Sequence, residues 1–175
     1  MSTVQKVNLE PVSNLLQNQI RDYALADKTL ADPLNAVALV DGEWMTLNSS
    51  TQAIRASTIG TPGNAATILS FPLFAERGRT DIMAQADRKV PLIIFGDYES
   101  DTRIFDAAAV VGSGLAITTM FQGLKVATIT LGSRNYTGLV GHGGAADANP
   151  IVAYVSKLPA VNGGKLRFMR LLGRL

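Results

Sequence analysis

The chain has 175 residues, a length usual for one domain, and a core of that size buries roughly 70% of the surface an unfolded chain exposes. Hydrophobic residues make up 47% and charged residues 17%, which excludes wholesale disorder, and the absence of cysteine excludes disulfides and thiolate-held metals. Sixteen basic against 14 acidic side chains leave a net charge of +2, too small a surplus for a protein that coats nucleic acid.

The opening Met1 to Glu10 has no apolar segment behind Lys6, so a secretory signal is not expected. No stretch approaches the ~20 apolar residues of a membrane-spanning helix. The expectation is a protein kept in a cytoplasm, or assembled there into something larger. Residues 1–30 differ from the rest: Leu16, Ile20, Tyr23 and Leu30 fall at spacings of four, three and seven, beside Leu15 and Ala24. That spacing predicts a short amphipathic helix capped by Ser13 or Asn14, either packed on its own domain or reaching a neighbour as an arm.

From residue 31 to 175 short apolar runs alternate with Gly, Pro, Asn, Asp and Ser. Ala36 to Val40 reads as a strand, Asp41-Gly42 as a hairpin turn, and Glu43 to Leu47 as the returning strand. Asn48 to Thr51 turns the chain, Gln52 to Thr58 is a further strand, and Thr61 to Asn64 is a loop. Thr67 to Phe74 and Val90 to Phe95 are core strands. Leu115 to Thr119, Leu124 to Thr130 and Ile151 to Leu158 carry β-branched residues between glycines, and Lys165 begins a final strand. Ala107 to Val111 alone could be helical, stopped by Gly112. The pattern predicts a mainly β sandwich or barrel.

Chemistry-bearing signals are sparse. The single histidine, His142, lies in a glycine-rich loop taken to run from Gly132 to Asn149, and a turn role suits it better than catalysis. Gly141-His-Gly143-Gly-Ala-Ala146 matches the letters of a dinucleotide fingerprint, but Pro150 follows too soon for the helix that motif needs. Asp97, Glu99 and Asp101 alternate on an extended segment. A solvated or salt-bridged strand edge, with Arg103 close enough to pair, is favoured there over a metal site. Arg77 and Arg79, in Glu76-Arg-Gly-Arg79 before Asp81, suit ion pairs across a subunit boundary. Trp44 is a core or subunit-interface anchor.

The succession Asp32-Pro-Leu34, Leu39-Val-Asp-Gly-Glu-Trp-Met-Thr-Leu47, Phe71-Pro-Leu-Phe-Ala-Glu-Arg-Gly-Arg79 and Arg88-Lys-Val-Pro-Leu-Ile-Ile-Phe95-Gly-Asp-Tyr-Glu99 resembles head decoration (cement) proteins of tailed bacteriophages. The closing Ile151-Val-Ala-Tyr-Val-Ser-Lys-Leu-Pro159 and Gly163-Gly-Lys-Leu-Arg-Phe168 are similar too. The likeness spans roughly residues 32–168 as short blocks and departs from the family through the glycine-rich loop. It implies a compact β-barrel or β-tulip domain with a short N-terminal arm or helix. It also implies a non-enzymatic virion protein on the outer capsid face, made in the host cytoplasm. Such a protein binds the major capsid protein, as a homotrimer at three-fold and quasi-three-fold positions. Expected interface residues are Leu16, Ile20, Tyr23, Trp44, Arg77 and Arg79, with no cofactor, metal, nucleic acid or membrane. The rival readings are a tail or baseplate component, a host-binding adhesin, or a small hydrolase using His142.

Overall fold

The computed structural model describes residues 10–11, 19–31, 38–40, 42–48, 50–56, 68–70, 89–95, 98–108, 114–160 and 164–170. The strands, in chain order, are β1 (Glu10–Pro11), β2 (Gln19–Ala24), β3 (Trp44–Leu47), β4 (Ala53–Arg55), β5 (Ile68–Ser70) and β6 (Lys89–Phe95). They continue with β7 (Tyr98–Thr102), β8 (Phe105–Asp106), β9 (Gly123–Leu131), β10 (Arg134–Gly141), β11 (Ala153–Lys157) and β12 (Leu166–Arg170). A seven-stranded sheet has the order β1-β7-β12-β11-β9-β10-β8, and a five-stranded sheet the order β2-β6-β5-β3-β4. All pairs are antiparallel except β8 with β10.

Alternation along β3 shows how the sheets share the core. Trp44 points into a cluster with Leu124, Val126, Leu139, Val155 and Phe168 of the large sheet, while its neighbour Met45 points the other way. The Trp44 and Phe168 rings lie 5.8 Å apart, tilted by 51°, and the buried Arg170 guanidinium sits 5.0 Å from the Trp44 ring centre. Met45 joins Leu25, Leu30, Leu39, Ala53, Val90 and Leu92 in a second cluster that belongs to the small sheet. That sheet curls: Leu25, just past β2, bridges Ala53 of β4 at the opposite end of the strand order, and the Ala26 N–H donates to the Ala53 carbonyl at 3.1 Å. A single bridge does not make a ladder, so the expected closed barrel is not found among the described residues; the chain is mainly β with two packed sheets.

The longest hairpin, β9–β10, turns at Gly132-Ser133, where Gly132 takes φ +65°. It is buried on both faces, with Leu124, Val126 and Leu139 in the shared core and Ala127, Ile129 and Val140 packed on the other side with Ile104. Gly138 is required there, because a Cβ would fall 2.6 Å from both the Ile104 carbonyl oxygen and Ile129 Cδ1. The glycine lets the Leu139 N–H reach that carbonyl at 3.0 Å.

Several sequence expectations change. Within the predicted helix, residues 19–24 form a strand instead, and Lys28–Ala31 is a 3-10 turn. Burial from Asp22 to Leu25 alternates with period two, and pairing with β6 outweighs the helical spacing. Residues 19–30, expected in an arm, are thus built into the small sheet and its core. The chain turns at Gly42, which takes φ +89°, and the Glu43 N–H donates to the Val40 carbonyl, while Asp41 lies outside the described residues. The turn makes no hairpin: β3 pairs with β4 and β5, while the Leu39 N–H donates to the Leu30 carbonyl. Leu115 to Thr119 makes only one bridge, at Leu115, because the Gln122 side chain takes the Thr118 and Thr119 N–H groups. The supposed loop from Gly132 to Asn149 is a strand as far as Gly141. Asp101 is not on a free edge, since β7 lies between β1 and β12. Strands do form within the Gln52, Thr67, Ile151 and Lys165 segments, and β6 and β9 contain the whole of the Val90 to Phe95 and Leu124 to Thr130 readings and extend slightly beyond them. The Thr61 to Asn64 loop lies outside the described residues, as do residues 109–111 of the Ala107 to Val111 segment.

Candidate contact site

Three groups of polar and apolar side chains define what the surface offers. The first is internal. Glu43, fully buried, receives a two-pronged grip from Arg55, whose Nε and Nη2 stand 2.8 and 2.9 Å from its two carboxylate oxygens. The Val40 N–H donates to the same carboxylate at 3.1 Å and the Thr137 N–H at 3.2 Å. Thr137 also donates its hydroxyl to the Trp44 carbonyl at 2.8 Å. Glu43 precedes β3 of the small sheet and Thr137 lies in β10 of the large one, so this carboxylate links the two sheets through hydrogen bonds.

The second group orders the loop after β10. Lys125 on β9 and Asp147 in that loop form an ion pair at 2.7 Å, their side chains 3% and 7% exposed. Asp147 accepts also from the Gly143 N–H (2.9 Å), the Asn149 N–H (3.1 Å) and the Asn149 side-chain amide (2.7 Å). Burial raises the Asp147 pKa, but the Lys125 ammonium and the amide donors outweigh it and hold the carboxyl well below its ordinary range. His142 is fixed by the same loop. The Gly144 N–H donates to Nδ1 at 3.1 Å, which leaves the proton on Nε2 to be donated to the Asn149 carbonyl at 2.7 Å. A single 3-10 turn, Gly144–Ala146, follows, with Gly144 at φ +77°. No helix starts there to hold a pyrophosphate.

The third group faces solvent at the end of the large sheet where β9 begins, β10 ends and β11 begins. Leu115 is 53% exposed, Met120 46%, Phe121 69% and Ile151 37%. Backbone bonds place them together: the Leu115 N–H donates to the Gly141 carbonyl (2.8 Å), the His142 N–H to the Gly123 carbonyl (2.8 Å), and Ile151 lies against Gly123. Gln122 ties the loop by donating to the Ala116 carbonyl (2.8 Å) and accepting from the Thr118 N–H (2.9 Å). Phe121 holds φ +60°, a conformation rare for a bulky residue, and its N–H donates to the Val155 carbonyl at 2.8 Å. The segments 114–124 and 142–152 carry one carboxylate between them, Asp147, and it is buried against Lys125. Among the described residues, these two segments therefore expose large apolar side chains and no formal charge.

Of the residues singled out from sequence, Trp44 is 1% exposed and takes the core role of the two proposed for it. Tyr23 is half-buried against the core of the small sheet. Ile20 lies in β2, with only its backbone described, and Leu16, Arg77, Arg79 and Asp97 lie outside the described residues. Asp101 pairs with Arg167 at 2.8 Å and Glu99 accepts from the Ser156 hydroxyl, so both carboxylates have partners within the sheet. Among the described residues no group of three His, Cys, Asp or Glu side chains is placed to hold a metal ion, and no helix is long and apolar enough to cross a membrane. Sequence reasoning missed Glu43, Lys125 and Phe121. A lysine inside the apolar run Leu124-Lys-Val-Ala-Thr-Ile129 was a readable signal, since such a residue demands a buried partner. Comparison with protein-family models, with curated proteins and with solved structures found no match.

Proposed function

We propose that this chain is a non-enzymatic structural protein of a virion, one that decorates and stabilises the outer surface of a tailed-phage head through the major capsid protein. The observation that carries the reading is the exposed apolar side chains of Leu115, Met120, Phe121 and Ile151 at one end of the large sheet, a surface suited to contact. The segment likeness to head decoration proteins supports it, and so does the use of the charged groups nearest that end within the fold. Both ring nitrogens of His142 are occupied by backbone groups, which argues against a hydrolase built on it.

In this role each subunit needs little affinity. Symmetric placement, with three copies at each three-fold position, multiplies a weak contact by effective concentration. A protein that binds only the expanded lattice stabilises it by mass action. The test is co-sedimentation with mature heads and, separately, with unexpanded proheads of the phage that encodes the chain. Saturable binding to expanded heads alone supports the reading; absence from both pellets refutes it.

A further inference from the structure

We infer that His142 is a proton-operated latch on the loop after β10: the neutral ring holds residues 142–149 closed, and the protonated ring releases them. The latch is a property of the free chain and needs no capsid, so its failure and the failure of head binding can be told apart.

The geometry accepts one form of the ring. Nδ1 receives the Gly144 N–H at 3.1 Å, and Nε2 lies 2.7 Å from the Asn149 carbonyl oxygen, an arrangement that needs a lone pair on Nδ1 and the proton on Nε2. Protonation leaves the Nε2 bond intact but places a second N–H on Nδ1, aimed at the N–H of Gly144. Two donors then face each other, and neither has an acceptor. His142 is half-buried, so the ring has a path to water once that contact is broken. As it leaves, the Asn149 carbonyl loses its donor and the loop loses both of the bonds the ring supplied.

The neighbouring charges do not accommodate a protonated ring. Among the described residues these are Lys125 of β9, Asp147 of the loop itself and Asp106 of β8, which lies across from Val140. Segments 114–124 and 150–153, bonded to the strands on either side, carry no charged residue. Asp147 already takes four donors: the Lys125 ammonium, the Gly143 N–H, the Asn149 N–H and the Asn149 side-chain amide. Those fill the four lone-pair positions of a carboxylate, so a ring N–H can displace one of them but cannot join them. The Lys125 ammonium on the same carboxylate repels a second cation, and Asp106 accepts from the Ala108 N–H at 3.1 Å.

The pH window follows from composition. His142 is the single histidine of a chain without cysteine, so no other side chain has its ordinary titration between about pH 5 and pH 8. An open loop lets the ring take a proton near about pH 6.5, whereas the closed loop admits the neutral ring. The closed form is therefore fully favoured above about pH 6.5 and loses ground as pH falls, by up to about tenfold per unit. Asp147, held below its ordinary range, stays ionised throughout, so the Lys125 pair persists and the response belongs to the ring.

The experiment is NMR of the full-length protein from about pH 7.5 to about pH 5.5, one unit either side of the ordinary imidazole value. Ring nitrogen shifts should place the proton on Nε2 at the upper end. Exchange of the Gly144 N–H with water, corrected for its intrinsic pH dependence, should quicken about tenfold at the lower end. The Leu139 N–H, bonded to the Ile104 carbonyl in the core, should stay protected. His142→Asn is the matching variant: an Asn side-chain oxygen accepts from the N–H two residues on and takes no proton in this range, so Gly144 should stay protected throughout. The urea midpoint reports that the variant is folded. A ring carrying its proton on Nδ1 at the upper end, Gly144 exchange that does not change across the range, or a folded His142→Asn that loosens as the wild type does, overturns the inference.

Discussion

Replacing Glu43 by glutamine tests whether the two sheets are joined through one carboxylate. The change keeps side-chain shape but removes a charge and turns one acceptor oxygen into a donor. Four N–H groups converge on Glu43: the two prongs of Arg55 and the backbone N–H groups of Val40 and Thr137. Whichever way the amide turns, its NH₂ faces at least one of these donors, and a buried donor left without an acceptor costs about 1–3 kcal/mol. Arg55 also loses its counter-charge. Breaking a buried pair from one side costs about 3–5 kcal/mol, but the Arg55 side chain is 23% exposed and partly hydrated, which places the total for Glu43→Gln at about 3 kcal/mol. Arg55→Met in the Glu43→Gln background should cost much less than Arg55→Met alone, because the guanidinium has by then lost its counter-charge. Replacing both by apolar residues should not restore stability, since the Val40 and Thr137 N–H groups would remain buried without an acceptor. Urea unfolding of the wild type, both single variants and the double variant gives the cycle, provided the m-value is unchanged. A loss below about 0.5 kcal/mol for Glu43→Gln, or strictly additive single changes, would show that the carboxylate is not what couples the sheets.

Two further outcomes follow from the geometry. Gly138→Ala places a methyl group against a backbone oxygen that cannot withdraw, so β8 and β10 must separate. A loss of at least about 1–3 kcal/mol is expected, visible as a lower Tm, and an unchanged Tm would mean that Ile104 can move aside freely. Asp147 makes stability acid-sensitive. Its carboxyl is held below the ordinary value of 3.8, so the unfolded chain takes up the proton first. The stabilisation is complete above that value and is lost as pH falls from about 4 toward the lower folded value, by up to about 1.4 kcal/mol per pH unit. The urea-midpoint difference between the wild type and Asp147→Asn should therefore narrow between about pH 5 and about pH 2.5. A constant difference would assign the acid response to other carboxylates.

Which parts of this fold were legible in the sequence depended on whether local pattern and tertiary demand agreed. Where β-branched runs ended in turn residues, as at Leu124 to Thr130, both pointed to a strand and a strand formed. At Ile20 and Tyr23 the helical spacing was real, but pairing with β6 decided the outcome, and nothing local announces a partner some seventy residues away. Glycines misled for a related reason. Gly138 and Gly141 look like loop residues in sequence, yet they sit in a strand because the Ile104 and Leu115 carbonyls approach too closely for any Cβ. The candidate site was legible only as an absence of catalytic pattern. Phe121 carried no periodic signal, and its exposure follows from Gln122, whose side chain occupies the N–H groups that a strand would have used.

The outer strands have a consequence for life at high density. β8 is two residues long and β4 three, and the outward side of β4 is already occupied at Ala53 by the chain around Leu25. Among the described residues neither of these two rims exposes a row of main-chain donors and acceptors long enough to template a foreign strand, which leaves the six-residue β2 as the longest outer strand. In the proposed role, copies crowded on a common support are kept from recruiting one another through β8 or β4 into a growing cross-β polymer. Lengthening β8 or releasing Leu25 from Ala53 would remove that safeguard before it changed the core.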